Sequence, residues 1–201
     1  MDERIIKDYL SLQENVPYMF QHYLRRINFN PNGNPSVLSV GCGSTCIAEF
    51  VALSNIYRET FGLELDFYGI DYKESRLKDA KEAIGDVATF KVDDARYLSR
   101  VFSKFKKFPL VIVRFPEIED PKHRGAWFDV MKAIGRILAP NGVIFATHAN
   151  ARGLEGLRTV CTALGFSKII DEGCKYPGRM LKHRNEEIGQ IDKYVLIAKV
   201  K

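Results

Sequence analysis

Apolar positions along the chain repeat with two periods, and the switches between them mark out the elements. Over residues 1–30 the spacing is helical: Ile5, Ile6, Tyr9 and Leu10 fall near one face, and Met19, Phe20, Tyr23, Leu24 and Ile27 near another. Pro17 suits the first turn of the second helix, where its missing N–H costs nothing. Asn30-Pro31-Asn32-Gly33-Asn34-Pro35 is dense in turn formers. It divides the chain into a helical extension over 1–33 and a larger domain over 34–201. From Ser36 onward, short β-branched runs alternate with amphipathic stretches. The pattern predicts strands over Ser36–Val40, Leu65–Ile70, Thr89–Val92, Leu110–Val113 and Val143–Thr147. Helices are predicted over Cys46–Phe61, Glu74–Ile84, Arg96–Phe102, His123–Leu138 and Leu154–Leu164, with Gly62, Gly85 and Gly165 closing three of them. Ser167–Asp171 and Tyr194–Val200 are two further strands with no helix between them, which predicts antiparallel neighbours.

A helix after each of five strands places the chain in the α/β class. It predicts a doubly wound, Rossmann-like, mostly parallel seven-stranded sheet, covered on both faces, with an antiparallel last strand. Such sheets bind ligands at the carboxyl ends of their strands, beside the first strand, where the strand order reverses. Three strand ends carry suitable groups there. Gly41-Cys42-Gly43 closes strand one, and a ligand can lie against its bare backbone at the start of the next helix. Asp71 closes strand two, where a carboxylate accepts hydrogen bonds from two ribose hydroxyls and repels a 2′-phosphate. Asp94 follows strand three and suits an adenine amino group, with the Ala95 N–H reaching a ring nitrogen and the Tyr72 ring lying against the base. A nicotinamide dinucleotide is disfavoured, because the Gly-x-Gly-x-x-Gly/Ala fingerprint has Cys46 at its sixth place.

Composition narrows the class further. At 201 residues the chain is long enough for one well-packed domain. Its longest apolar runs, such as Leu110–Val113, are far shorter than a membrane span, and Met1-Asp2-Glu3-Arg4 offers no apolar signal core. A cytoplasmic protein with no membrane partner is expected. Cys42, Cys46, Cys161 and Cys174 have no C-x-x-C pairing and no histidine at ligand spacing, so free buried thiols are expected, and no metal. The net charge of +5 comes from dispersed basic residues without an aromatic–basic repeat, so nucleic acid is possible but not favoured as a partner.

Taken together, these motifs resemble those of the class I S-adenosylmethionine-dependent methyltransferases, over about residues 36–201. That family opens with acidic-x-Gly-x-Gly-x-Gly, where this chain has Ser39-Val40-Gly41-Cys42-Gly43-Ser44-Thr45. The two central glycines stand, while Ser39 replaces the acid and Thr45 the third glycine. Asp71 matches the family's ribose-binding acid and Asp94-Ala95 its adenine-binding pair. Leu138-Ala139-Pro140-Asn141-Gly142 is similar to the turn before strand five. The resemblance implies S-adenosyl-L-methionine as cofactor, held by Gly41, Cys42, Gly43, Asp71, Tyr72, Asp94, Ala95 and Arg114. It also implies methyl transfer by in-line displacement, in which alignment matters more than a strong base.

The acceptor-side loop, Arg114-Phe115-Pro116-Glu117-Ile118-Glu119-Asp120-Pro121, lacks the Asn/Asp-Pro-Pro-Tyr/Phe of enzymes that methylate base or amide amino groups. A small molecule or a protein side chain is the expected acceptor. Glu117, His123 and His148 are candidate proton acceptors, and Tyr18, His22 and Tyr23 are candidates for a lid. Three alternatives remain: transfer of another group, such as aminopropyl, on the same fold; a transfer-RNA methyltransferase; and a non-catalytic module that binds the cofactor.

Overall fold

The computed structural model describes residues 2–103, 105–179 and 190–200. Two helices lead, α1 (Glu3–Leu12) and α2 (Val16–Arg26). They are followed by β1 (Ser36–Val40), α3 (Cys46–Ile56), β2 (Asp66–Asp71), α4 (Glu74–Ile84), β3 (Ala88–Val92), the short α5 (Leu98–Val101), β4 (Phe108–Arg114), α6 (Pro121–Ile137), β5 (Leu138–His148), α7 (Ala151–Ala163) and β6 (Phe166–Gly173). A two-residue ribbon, β7 (Gly178–Arg179) with β8 (Gln190–Ile191), precedes the last strand, β9 (Tyr194–Val200).

Seven strands form one sheet in the order β3-β2-β1-β4-β5-β9-β6. β9 runs antiparallel to both β5 and β6, and the pairings of β1 with β2 and β4, β2 with β3, and β4 with β5 are all parallel. β1 and β4 are buried at every position, as their unbroken Val/Leu/Ile runs require at the centre of a sheet covered on both faces. β3, at the edge, buries no residue fully. Registers keep the carboxyl ends level: Val40 lies beside Ile70 and Val113, and Asp71 beside Val92. The reversal of strand order falls between β1 and β4.

The helix expected over Arg96–Phe102 is α-helical only over Leu98–Val101, after a 3-10 turn at Ala95–Tyr97, and α7 starts at Ala151 rather than Leu154. Two further departures bear on the packing. The helix expected over Cys46–Phe61 is α-helical only to Ile56, and its last turn, Tyr57–Phe61, widens into a π-turn closed by Gly62 at φ 64°. The wide turn places the Tyr57 and Phe61 rings together on Phe29. β5 begins at Leu138 rather than Val143, because Leu138 pairs with Phe108 before the chain loops out at Asn141, which has φ 63°.

The leading helices belong to the core. Asp2 caps α1 through the N–H groups of Arg4 and Ile5, its own N–H bonds Ala83 at the end of α4, and the Tyr9 hydroxyl donates to Asp79 at 2.7 Å. Met19, Phe20 and Tyr23 are fully buried, and the Phe20 ring lies 4.8 Å from that of Phe145 on β5. One apolar core thus joins α1–α4 to one sheet face, and a second joins α5–α7 to the other.

Candidate functional site

A cavity of about 380 Å³ opens at the carboxyl ends of β1–β4. Gly41, Asp71, Tyr72, Asp94, Ala95 and Arg114 line it, together with Glu117 from the loop after β4 and His123 from α6. Cys42, Gly43 and His148, also expected at the site, do not line it.

The glycine loop is held from behind. Gly41 and Gly43 have φ of 64° and 47°, a region that side chains disfavour. The N–H groups of Gly41 and Cys42 both reach the Ile70 carbonyl, at 2.8 and 3.2 Å. Cys42 turns inward instead of toward the ligand. A Cβ on Gly69 would stand 2.9 Å from its sulfur and 2.6 Å from the Phe90 ring, so only glycine fits beneath the loop. Gly43 contributes through its N–H, which donates to Asp71 Oδ2 at 3.2 Å, while Lys73 N–H donates to Oδ1 at 3.0 Å. Asp71 is 2 % exposed. Each of its oxygens takes one backbone N–H and keeps further acceptor capacity toward the cavity.

Asp94 is committed more heavily than the sequence suggests. It caps the turn Ala95–Tyr97, and the Arg96 guanidinium clasps it at 2.8 Å from Nε and 2.5 Å from Nη2. That clasp holds its carboxyl below the usual range. Any further donor at Asp94 would share it with Arg96. Tyr72 is largely exposed, with Lys73 and Arg76 at 5.1 and 5.2 Å from its ring.

Arg114 is not a free cation facing a ligand. Its side chain is buried and bonded to Asp192 (3.1 and 2.6 Å), Gln13 Oε1 (2.9 Å) and Glu49 (3.2 Å). Ser39 donates to Glu49 at 2.6 Å, and Thr147 donates to Asp192. This buried network joins α1, β1, α3, β4, β5 and the approach to β9. Burial pushes the Glu49 carboxyl up despite Arg114 and Ser39. Burial alone would lower the Arg114 pKa, but Asp192 and Glu49 reverse the effect and raise it. The Gln13 Nε2 is buried without a partner.

On the acceptor side, His123 Nδ1 lies 3.0 Å from Glu117 and 3.3 Å from Asp120. His148 instead clamps two loops. Its Nδ1 accepts from Asn150 N–H at 3.2 Å, which assigns the proton to Nε2, facing Pro116 O at 3.1 Å and Glu119 at 2.7 Å. Burial pushes the Glu119 carboxyl up, but its own backbone N–H, Asn150 and His148 outweigh this and hold it below the usual range. Tyr18, His22 and Tyr23 do not line the cavity either: the Tyr23 hydroxyl accepts from Lys175 N–H at 3.0 Å, and His22 packs on Tyr176. Burial raises the thiols of Cys46, Cys161 (to about 12) and Cys174 (to about 11), so none is a thiolate nucleophile at neutral pH. Among the described residues, no three His, Cys, Asp or Glu side chains converge as metal ligands, and no helix is long and apolar enough to cross a membrane.

Sequence reasoning missed Trp127 and Arg76, which also line the cavity, as does Phe115 of the loop after β4. Trp127 is the only tryptophan in the chain. Its ring would stand 3.4 Å from a Cβ on Gly41.

This sheet order, with an antiparallel strand inserted at β9, is the fold of the class I S-adenosylmethionine-dependent methyltransferases. Solved structures agree. The chain superposes on DesVI of Streptomyces venezuelae with a TM-score of 0.62 at 14% identity, covering 100% of this chain and 99% of that one. The magnesium protoporphyrin IX methyltransferase ChlM of Synechocystis PCC 6803, solved with bound SAM, gives 0.60 at 16% identity, over 94% and 79%. A precorrin 8w decarboxylase from Methanobacterium thermoautotrophicum gives 0.57 at 16%, over 91% and 90%. No protein-family model and no curated protein sequence matches the chain. The decarboxylase shows that this fold hosts more than one reaction, so function has to be argued from the site.

Proposed function

We propose that the chain binds S-adenosylmethionine in this cavity and transfers its methyl group to a small molecule or a protein side chain. One observation carries the reading: Asp94, Asp71 and Gly41, at the level ends of β3, β2 and β1, line a single cavity of about 380 Å³. That order suits adenine, ribose and the groups beyond the ribose. Asp71 supports it most directly, being buried yet left with acceptor capacity for vicinal hydroxyls. The bound cofactor supplies an electrophilic methyl on a sulfonium.

The chain's own residues orient the two reactants. Gly41 leaves the backbone open, Asp71 fixes the sugar, and Phe115 with Glu117 and His123 borders the acceptor's approach. The His123–Glu117 pair is placed to take up a proton released by an acceptor amine or hydroxyl. The lining mixes Asp71, Asp93, Asp94 and Glu117 with Arg76, Arg96, Arg114 and His123. That balance favours a small or side-chain acceptor over a polyanion.

Calorimetric titration with S-adenosylhomocysteine, with NAD as control, tests the reading. Micromolar binding of the first alone is expected, and Asp71→Ala should weaken it roughly 10-fold or more, the scale of a charge-assisted hydrogen bond. Failure of the wild type to bind, or unchanged affinity in the variant, refutes the cofactor placement.

A further inference from the structure

We infer that Trp127 is the surface on which this site recognises the positive charge of its methyl donor. The inference rests on the cofactor reading above and goes one step further, to which atom of the ligand meets which side chain. Across the sheet, β3, β2, β1 and β4 present Asp94, Asp71, Gly41 and Arg114 in that spatial order at the cavity. In S-adenosylmethionine the sulfonium is joined to the ribose 5′ carbon, on the side away from the base. With the ribose at Asp71, the sulfonium therefore falls at the next station, Gly41, where the outer edge of the Trp127 ring would stand 3.4 Å from a Cβ.

The other groups there do not serve a cation as well. The nearest fixed charge toward β4 is the Arg114 guanidinium, which repels a cation, although Asp192 and Glu49 neutralise it. Asp71 is engaged by two backbone N–H groups and by the sugar. Of the rings that line the cavity, Tyr72, Phe115 and Trp127, indole is the strongest cation binder. Trp127 is half-buried on α6, one turn beyond His123, so the helix that carries it also carries the acceptor side of the cavity. The product, S-adenosylhomocysteine, has lost the charge and with it this attraction. Trp127 thus favours the donor over the product.

The test compares three ligands by calorimetry: S-adenosylmethionine, S-adenosylhomocysteine and sinefungin, in which an ammonium replaces the sulfonium. Trp127→Leu keeps apolar bulk and removes the π face. It is expected to lose roughly 2- to 30-fold in affinity for the two cationic ligands and little for S-adenosylhomocysteine, the range of a cation–π contact. Trp127→Phe should fall between. Equal losses for all three ligands, or no loss, would overturn the assignment. Because the chain has a single tryptophan, the intact protein gives an independent readout: its emission should change on titration with each ligand. Emission unchanged by a ligand that calorimetry shows to bind also overturns it. If the wild type binds none of the three, the cofactor reading fails and the Trp127 role fails with it. If it binds all three and Trp127→Leu keeps their ratios, only the Trp127 role fails.

Discussion

Replacing Arg114 by methionine should cost more stability than any other single change at the site. The guanidinium, Glu49 and Asp192 have side-chain exposures of 2%, 0% and 0%, so none can recover its charge partner from water. Among the described residues, removing this cation leaves two buried carboxylates with Thr147 and Ser39 as their donors. Breaking a buried pair in this way costs about 3–5 kcal/mol. Unfolding entropy of about 2.1 cal/mol/K per residue over 201 residues gives about 0.4 kcal/mol/K. The expected fall in Tm is therefore about 7–12 °C by circular dichroism at neutral pH. Adding Glu49→Gln and Asp192→Asn to Arg114→Met should return most of it, since neutral groups of similar shape replace the stranded charges. A shift below about 2 °C, or no recovery in the triple variant, would falsify the claim that the network is an electrostatic unit.

Glu49 gives the same network a pH signature. Burial raises its folded pKa above the ordinary 4.5. Its favourable contribution is therefore complete below pH 4.5 and is lost as pH rises through the folded value. The Tm of Glu49→Gln relative to wild type should climb as pH increases from 4.5; a pH-independent difference refutes this. At Gly153 a Cβ would stand 2.0 Å from the His148 ring. Gly153→Ala must swing that ring off the Asn150 N–H and should cost about 1–3 kcal/mol, the scale of overpacking. An unchanged melting curve would show that His148 does not clamp the loops.

Much of the fold is legible in the sequence because its signals are local. β1 and β4 read as strands from runs of Val, Leu and Ile, and Gly62 closes a helix because glycine enters the left-handed turn without a Cβ clash. Asp71 and Asp94 are legible because each ends a strand, and strand ends converge. The roles of Arg114 and Asp192 are not local. Asp192 lies 78 positions from its guanidinium, and no local pattern links the two. Arg114 reads as a ligand contact; it lines the cavity and is also the centre of a buried network that the sequence does not reveal. His148 and Cys42 sit at suitable chain positions, but packing against Gly153 and Gly69 decides where they point. Trp127 depends on the phase of α6 over Gly41, which periodicity alone does not supply.

The insertion of β9 between β5 and β6 has a consequence for biosynthesis. β6 is made before β9 but has no partner in the sheet until β9 arrives, since it pairs with no other strand of the sheet. During N-to-C synthesis, the edge of β5 and the whole of β6 wait with unpaired backbone groups while the intervening residues are added. Asp192, two residues before β9, reaches Arg114 only in the same step. Closure of the sheet and completion of the charge network around Arg114 are thus one late event. A nascent chain halted before β9 should therefore be prone to edge-to-edge association.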